Sequence, residues 1–153
     1  MQVRFGTTPA PDKKTAAHPN KATMMSEQIS SIMQRIVMPV SMDDTVADVE
    51  AMMDTHRISS APVYDVDGAV LGIITVSDIA RFQALGKDPK NTKAWEICTY
   101  RPVEVQPVTP ISEVAELMLT RKIHHVVVME NHALKGIVSA LDFVRLFARQ
   151  TPT

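Results

Sequence analysis

Two stretches decide how this chain folds: residues 70–82, "VLGIITVSDIARF", and residues 134–147, "LKGIVSALDFVRLF". Each runs from an apolar, β-branched segment through a hydroxyl residue, Thr75 or Ser139, into a helical pattern, with Asp78 or Asp142 three positions beyond the hydroxyl. A strand that breaks at Ser or Thr and resumes at helical spacing predicts a strand–turn–helix unit, because the hydroxyl can accept a free backbone N–H at the helix start.

Outward from these stretches the likeness continues. Residues 38–82 lie over residues 103–146 with one residue deleted at a turn of the second copy. Val40 then meets Val105, Val49 meets Val114, Met53 meets Met118, Ile58 meets Ile123, Gly72 meets Gly136 and Arg81 meets Arg145. In each copy a short strand leads to Asp44 or Thr109, the expected helix caps, with Pro110 in a first turn that tolerates proline. Val46, Val49 and Met53, and in the second copy Ile111, Val114 and Met118, recur at helical spacing and predict a core-facing stripe. Asp67-Gly68 between two apolar runs signals a hairpin, and Asn131-His132 takes its place in the second copy. Helical lead-ins, "SEQISSIM" (26–33) and "TKAWEIC" (92–98), precede the copies. One copy alone is near the lower size limit for independent folding, so each should bury itself against the other. The expected fold class is α+β: two β-α-β-β-α repeats packed about a pseudo-twofold axis. Residues 1–24 are expected as a flexible tail, 25–88 as the first repeat and 89–153 as the second.

Composition narrows the functions. The 153 residues carry a net charge of -1 without a basic run, which disfavours nucleic acid as a partner. The single cysteine, Cys98, forms no internal disulfide, and no spaced Cys/His set points to a metal; a reducing, cytoplasmic setting is expected. No apolar run reaches the length of a membrane span. The five glycines stand alone, with no phosphate-cradling Gly-rich loop and no Gly-x-Ser-x-Gly elbow, so no catalytic residues are assigned and no enzyme is expected.

With both copies in view, "RISSAPVYDVDGAVLGIITVSDIARF" (57–82) and "KIHHVVVMENHALKGIVSALDFVRLF" (122–147) resemble a tandem pair of cystathionine-β-synthase (CBS) domains, a Bateman module, from about residue 26 to 148. The resemblance implies a regulatory module that binds adenosine-containing ligands in two clefts between the copies and signals to a partner. AMP, ADP and ATP rank first as regulatory ligand, S-adenosylmethionine and NAD lower. It also implies a homodimer formed through the helices, acting on an effector protein that the chain does not name. Carried over residue by residue, one cleft combines Ser139, Asp142, His124 and His125 with Asp44, Val49, Ile58 and Ser59. The other combines Thr75, Asp78, Ser59 and Ser60 with Thr109, Val114, Ile123 and His124. A ligand-free structural or dimerisation module is the competing reading.

The chemistry of these residues accommodates both. Free N–H groups at a helix N-terminus favour phosphate, and a carboxylate in the first turn is a pure acceptor suited to ribose hydroxyls. The same spacing is that of a capping box, and the two roles can coexist. His124 and His125 point to opposite strand faces and do not readily chelate one metal; protonated, they suit phosphate, so affinity is expected to fall as pH rises. Arg57, Arg81, Arg121, Lys122 and Arg145 are kept outside the site as solvated cations. Val127 departs from the family pattern, standing where the first copy has Pro62.

Overall fold

The computed structural model describes residues 22, 23, 26–35 and 37–149; apart from Ala22 and Thr23, the expected tail over 1–24 lies outside them. A short 3-10 helix, Ile29–Ser31, is the first of the described elements. The first repeat then contributes β1 (Val40–Ser41), α1 (Val46–His56), β2 (Ser60–Tyr64), β3 (Val70–Thr75) and α2 (Val76–Ala84). Next come α3 (Ala94–Ile97), β4 (Thr99–Tyr100), β5 (Glu104–Val105), α4 (Ile111–Arg121), β6 (His125–Glu130), β7 (Ala133–Ser139) and α5 (Ala140–Ala148). This is the mixed α+β arrangement that the repeat predicts.

One sheet has the order β1-β2-β3-β4 and the other β5-β6-β7. In both, the first strand runs parallel to the second and the hairpin is antiparallel, with Val63 opposite Gly72 and Val128 opposite Gly136. Each sheet packs one face on its own helices. Val49, Met53, Ala61, Val63, Ile74 and Ile79 close the first core, and Ile111, Val114, Met118, Val126, Val128 and Val138 the second. The opposite faces meet each other through Ile73, Val127 and Ile137. A strand covered on both faces explains why 126–129 reads as an unbroken apolar run rather than an alternation.

The lead-ins are exchanged. Ile29 and Met33, which precede the first repeat, belong to the core of the second, while Ala94 and Cys98 belong to the core of the first. β4 extends the first sheet beside β3, and Gln34 extends the second beside β7, donating its N–H to the Ile137 carbonyl at 2.9 Å and accepting the Ile137 N–H at 3.1 Å. Two glycines make room for these additions. A Cβ at Gly136 would stand 2.7 Å from the Gln34 carbonyl oxygen, and one at Gly72 would run into the Thr99 carbonyl.

Two local expectations shift by a residue. The α1 cap is Thr45, whose hydroxyl accepts the Asp48 N–H, and the residue at the α4 N-cap is Pro110, whose ring has no acceptor to offer. Asp44 and Thr109 instead fold back and accept the N–H groups of Ser41 and Gln106, closing the turns after β1 and β5. Both still secure the helix approach, through the turn rather than the helix end.

Candidate ligand site between the two repeats

The strand–turn–helix units place Asp78 and Asp142 at equivalent points, each buried, with 5% and 3% of its surface exposed. A buried carboxylate is tolerable only when its oxygens are hydrogen-bonded. Asp78 meets this by accepting from the Thr75 N–H at 2.8 Å, from the Thr75 hydroxyl at 3.0 Å and from the Arg81 guanidinium. With the Asp78 N–H returned to the Thr75 hydroxyl, the pair forms a capping box. Asp142 repeats the pattern, accepting from the Ser139 N–H at 2.8 Å, the Ser139 hydroxyl at 3.2 Å and Arg145 Nη1 at 3.0 Å. It has a fourth donor with no counterpart in the first repeat: Gln34 Nε2, at 2.8 Å on Oδ1.

Above Asp142 lies a cavity of about 140 Å³, walled by both repeats. Ser139, Asp142, Arg145 and Ile137 come from the second repeat, Arg57, Ile58, Ser59 and Ser60 from the first, and Gln34, Val37 and Met38 from the exchanged lead-in. Arg57 reaches it from the C-terminus of α1, where its backbone is left-handed, with φ of 52°. That conformation disfavours residues with a side chain and turns the chain sharply from α1 into β2.

Of the eight residues assigned from sequence to the Asp142 cleft, the structure brings Ser139, Asp142, Ile58 and Ser59 together around this cavity. Ser60, grouped with Asp78, lines it as well. Val49 and Val114 are not wall residues: both are core, at 2% and 0% exposure. Asp44 and Thr109 hold turns, as described. His124 and Ile123 line an outer groove between α4 and α5 instead. His125 faces the seam, where it feels both Asp78 and Asp142. Burial, aided by the neighbouring His124, holds its pKa below the ordinary imidazole value, against the pull of those two aspartates. Burial at this place works against the charged form that a phosphate-facing role for His125 requires.

Sequence reasoning gave Gln34, Val37 and Met38 no part in the site and kept Arg57 and Arg145 outside it as solvated cations, yet all five line the cavity. Arg145, at i+3 from Asp142, had a visible signal in its spacing, shared with Arg81 and Asp78. Gln34 had none, since its place depends on the exchange of lead-ins. Among the described residues no cluster of metal-ligating side chains forms, and no helix is long and apolar enough to cross a membrane.

A duplicated β-α-β-β-α unit whose copies share a carboxylate-floored cavity defines the class of paired-repeat modules. The CBS domain family model matches residues 29–85 and 94–149, and the chain belongs to that family as a CBS domain pair. It is 31% identical over 100 residues to the uncharacterized protein YlbB of Bacillus subtilis, a match covering 65% of this chain and 68% of YlbB. Identity to the protein MJ0188 of Methanocaldococcus jannaschii is 34% over 124 residues, which is 79% of this chain and 44% of that one, so the chain spans less than half of that relative. Among solved structures, the CBS domain pair of protein MJ0100, in complex with 5-methylthioadenosine and S-adenosyl-L-methionine, is similar with a TM-score of 0.73 at 26% identity, covering 81% of this chain and 98% of that one.

Proposed function

We infer that the chain is a regulatory binding module whose seam cavity takes one adenosine-containing phosphate ligand, such as AMP, ADP or ATP. The observation that carries this reading is a buried carboxylate, Asp142, at the floor of a cavity to which both repeats contribute. Asp142 is the acceptor for the ribose hydroxyls. Phosphate falls to Ser139 at the α5 N-terminus, to Ser59 and to Arg57, which has no ion pair among the described residues. The adenosine ligands of the MJ0100 pair support the class of ligand. The cation of Arg57 favours a phosphate over the positively charged sulfonium of S-adenosylmethionine. A ligand held by both repeats favours one arrangement of them over another, which is how it would alter the surface shown to an effector.

The chain is also proposed to pair with a second copy through the second repeat. Leu119, Leu141, Val144 and Phe147 are exposed on its outer helices, whereas the equivalent places of the first repeat hold Asp54, Ser77, Ala80 and Gln83. One observation favours a ligand-free structural module instead: Asp78 and Asp142 already serve as caps.

Calorimetric titration with AMP, ADP, ATP, NADH and S-adenosylmethionine decides between them. One equivalent of an adenine nucleotide is expected to bind per chain, and a folded protein that takes up none of the five would leave only the structural module.

A further inference from the structure

Asp142 differs from Asp78 in one respect that neither capping nor the repeat accounts for. A carboxylate offers about four lone-pair positions, and on Asp142 all four are engaged, by the Ser139 N–H, the Ser139 hydroxyl, Arg145 and Gln34. On Asp78 only three donors are present. The extra donor comes from the lead-in of the other repeat, 108 positions away. Its pseudo-symmetric counterpart is Thr99, which occupies the matching place beside Ile73 in the first sheet but has no side-chain amide, and none of the donors to Asp78 comes from it.

The donors are not equally replaceable. The Ser139 N–H belongs to the start of α5 and cannot leave without uncapping it. Gln34 is exposed, and its backbone is fixed by two hydrogen bonds to Ile137, so its side chain can swing away while the strand stays. The cavity it lines, about 140 Å³, is smaller than the range of roughly 300 Å³ and upward typical of small-molecule sites. A nucleoside therefore needs flexible side chains elsewhere on its walls to move, and only one that takes the Asp142 oxygen needs Gln34 to leave it.

We propose that Gln34 is a diol gate: its amide holds the position on Asp142 Oδ1 that a ribose hydroxyl takes, and a ligand engages Asp142 only by displacing it. This rests on the functional reading above. Gln34 thus lowers the affinity for ligands with an intact 2′,3′-diol and leaves ligands without one unaffected. It is a positioning residue that acts through Asp142.

The test is calorimetric titration of wild type, Gln34→Ala and Gln34→Met with AMP and with 2′,3′-dideoxyadenosine monophosphate. Methionine keeps the length and bulk of the side chain and removes the donor, so it separates the amide from packing, and melting curves report whether each variant is folded. Both variants are expected to bind AMP about fivefold to tenfold more tightly, the scale of the net contribution of one ordinary hydrogen bond, with the dideoxy compound unchanged. Equal shifts for the two ligands, or weaker AMP binding, would overturn the gate while leaving the nucleotide site intact. If the dideoxy compound does not bind wild type measurably, the AMP arm decides alone: tightening supports the gate, and no change or weakening refutes it. Wild type that binds neither AMP nor any other adenosine ligand removes the site itself, a result distinct from failure of the gate.

Discussion

At the scale of single residues, pseudo-symmetry supplies its own control. Asp78 and Asp142 cap equivalent helices and are equally buried, so Asp78→Asn and Asp142→Asn should each lower stability by about 2 kcal/mol, measured by denaturant unfolding. AMP affinity should fall at least tenfold for Asp142→Asn alone; an equal fall for both would move the site off the seam cavity. His125 carries a pH signature. Its pKa is lowered in the folded state, so the unfolded chain binds the proton more readily, and stability must decline as pH drops through the ordinary imidazole value of 6.5. Melting temperature should therefore decrease from neutral toward acidic pH in wild type, and His125→Gln should lose that part of the slope. The Ser-x-x-Asp signature was legible in the sequence because capping and ligand chemistry both require it. The burial that lowers the His125 pKa was not, because it depends on the sheet facing the seam, which spacing along one strand does not report.

At the scale of elements, strand and helix order followed from the repeat itself, since the same pattern had to make sense twice. The helix starts moved by one position, because Asp44 and Thr109 satisfy turn N–H groups as readily as helix ones. Glycines show the opposite case, in which a residue type visible in sequence carries a meaning visible only in the fold. Gly72 and Gly136 look like breaks inside strands; they are the places where a foreign lead-in lies against the sheet. Alanine at either should cost about 1–3 kcal/mol through overpacking, more at Gly72, where the approach of the carbonyl is closer. Thermal unfolding would check this, and a neutral Gly72→Ala would mean that β4 is not held as described.

At the scale of the whole molecule, the two halves share a backbone plan but not a surface. The groove between α4 and α5 is apolar and about 550 Å³, while its counterpart between α1 and α2 is about 190 Å³ and holds Glu50, Asp54 and Gln83, with Gln83 donating to Glu50. If copies pair through the second repeat, Leu119→Asp or Phe147→Asp should convert a dimer to a monomer in light scattering, and Asp54→Ala should not. Sequence comparison of the repeats gave this asymmetry no weight, because it aligned what the copies share. The exchange of lead-ins has a different kind of consequence. Each half holds a piece of the other's sheet and core, so the covalent link between them, exposed around Gly86 and Lys87, is not what keeps them together. Cut there by a protease, the protein should remain one particle with its seam intact. Expressed as two separate polypeptides, the halves should find each other by trading strands, as a domain-swapped dimer does.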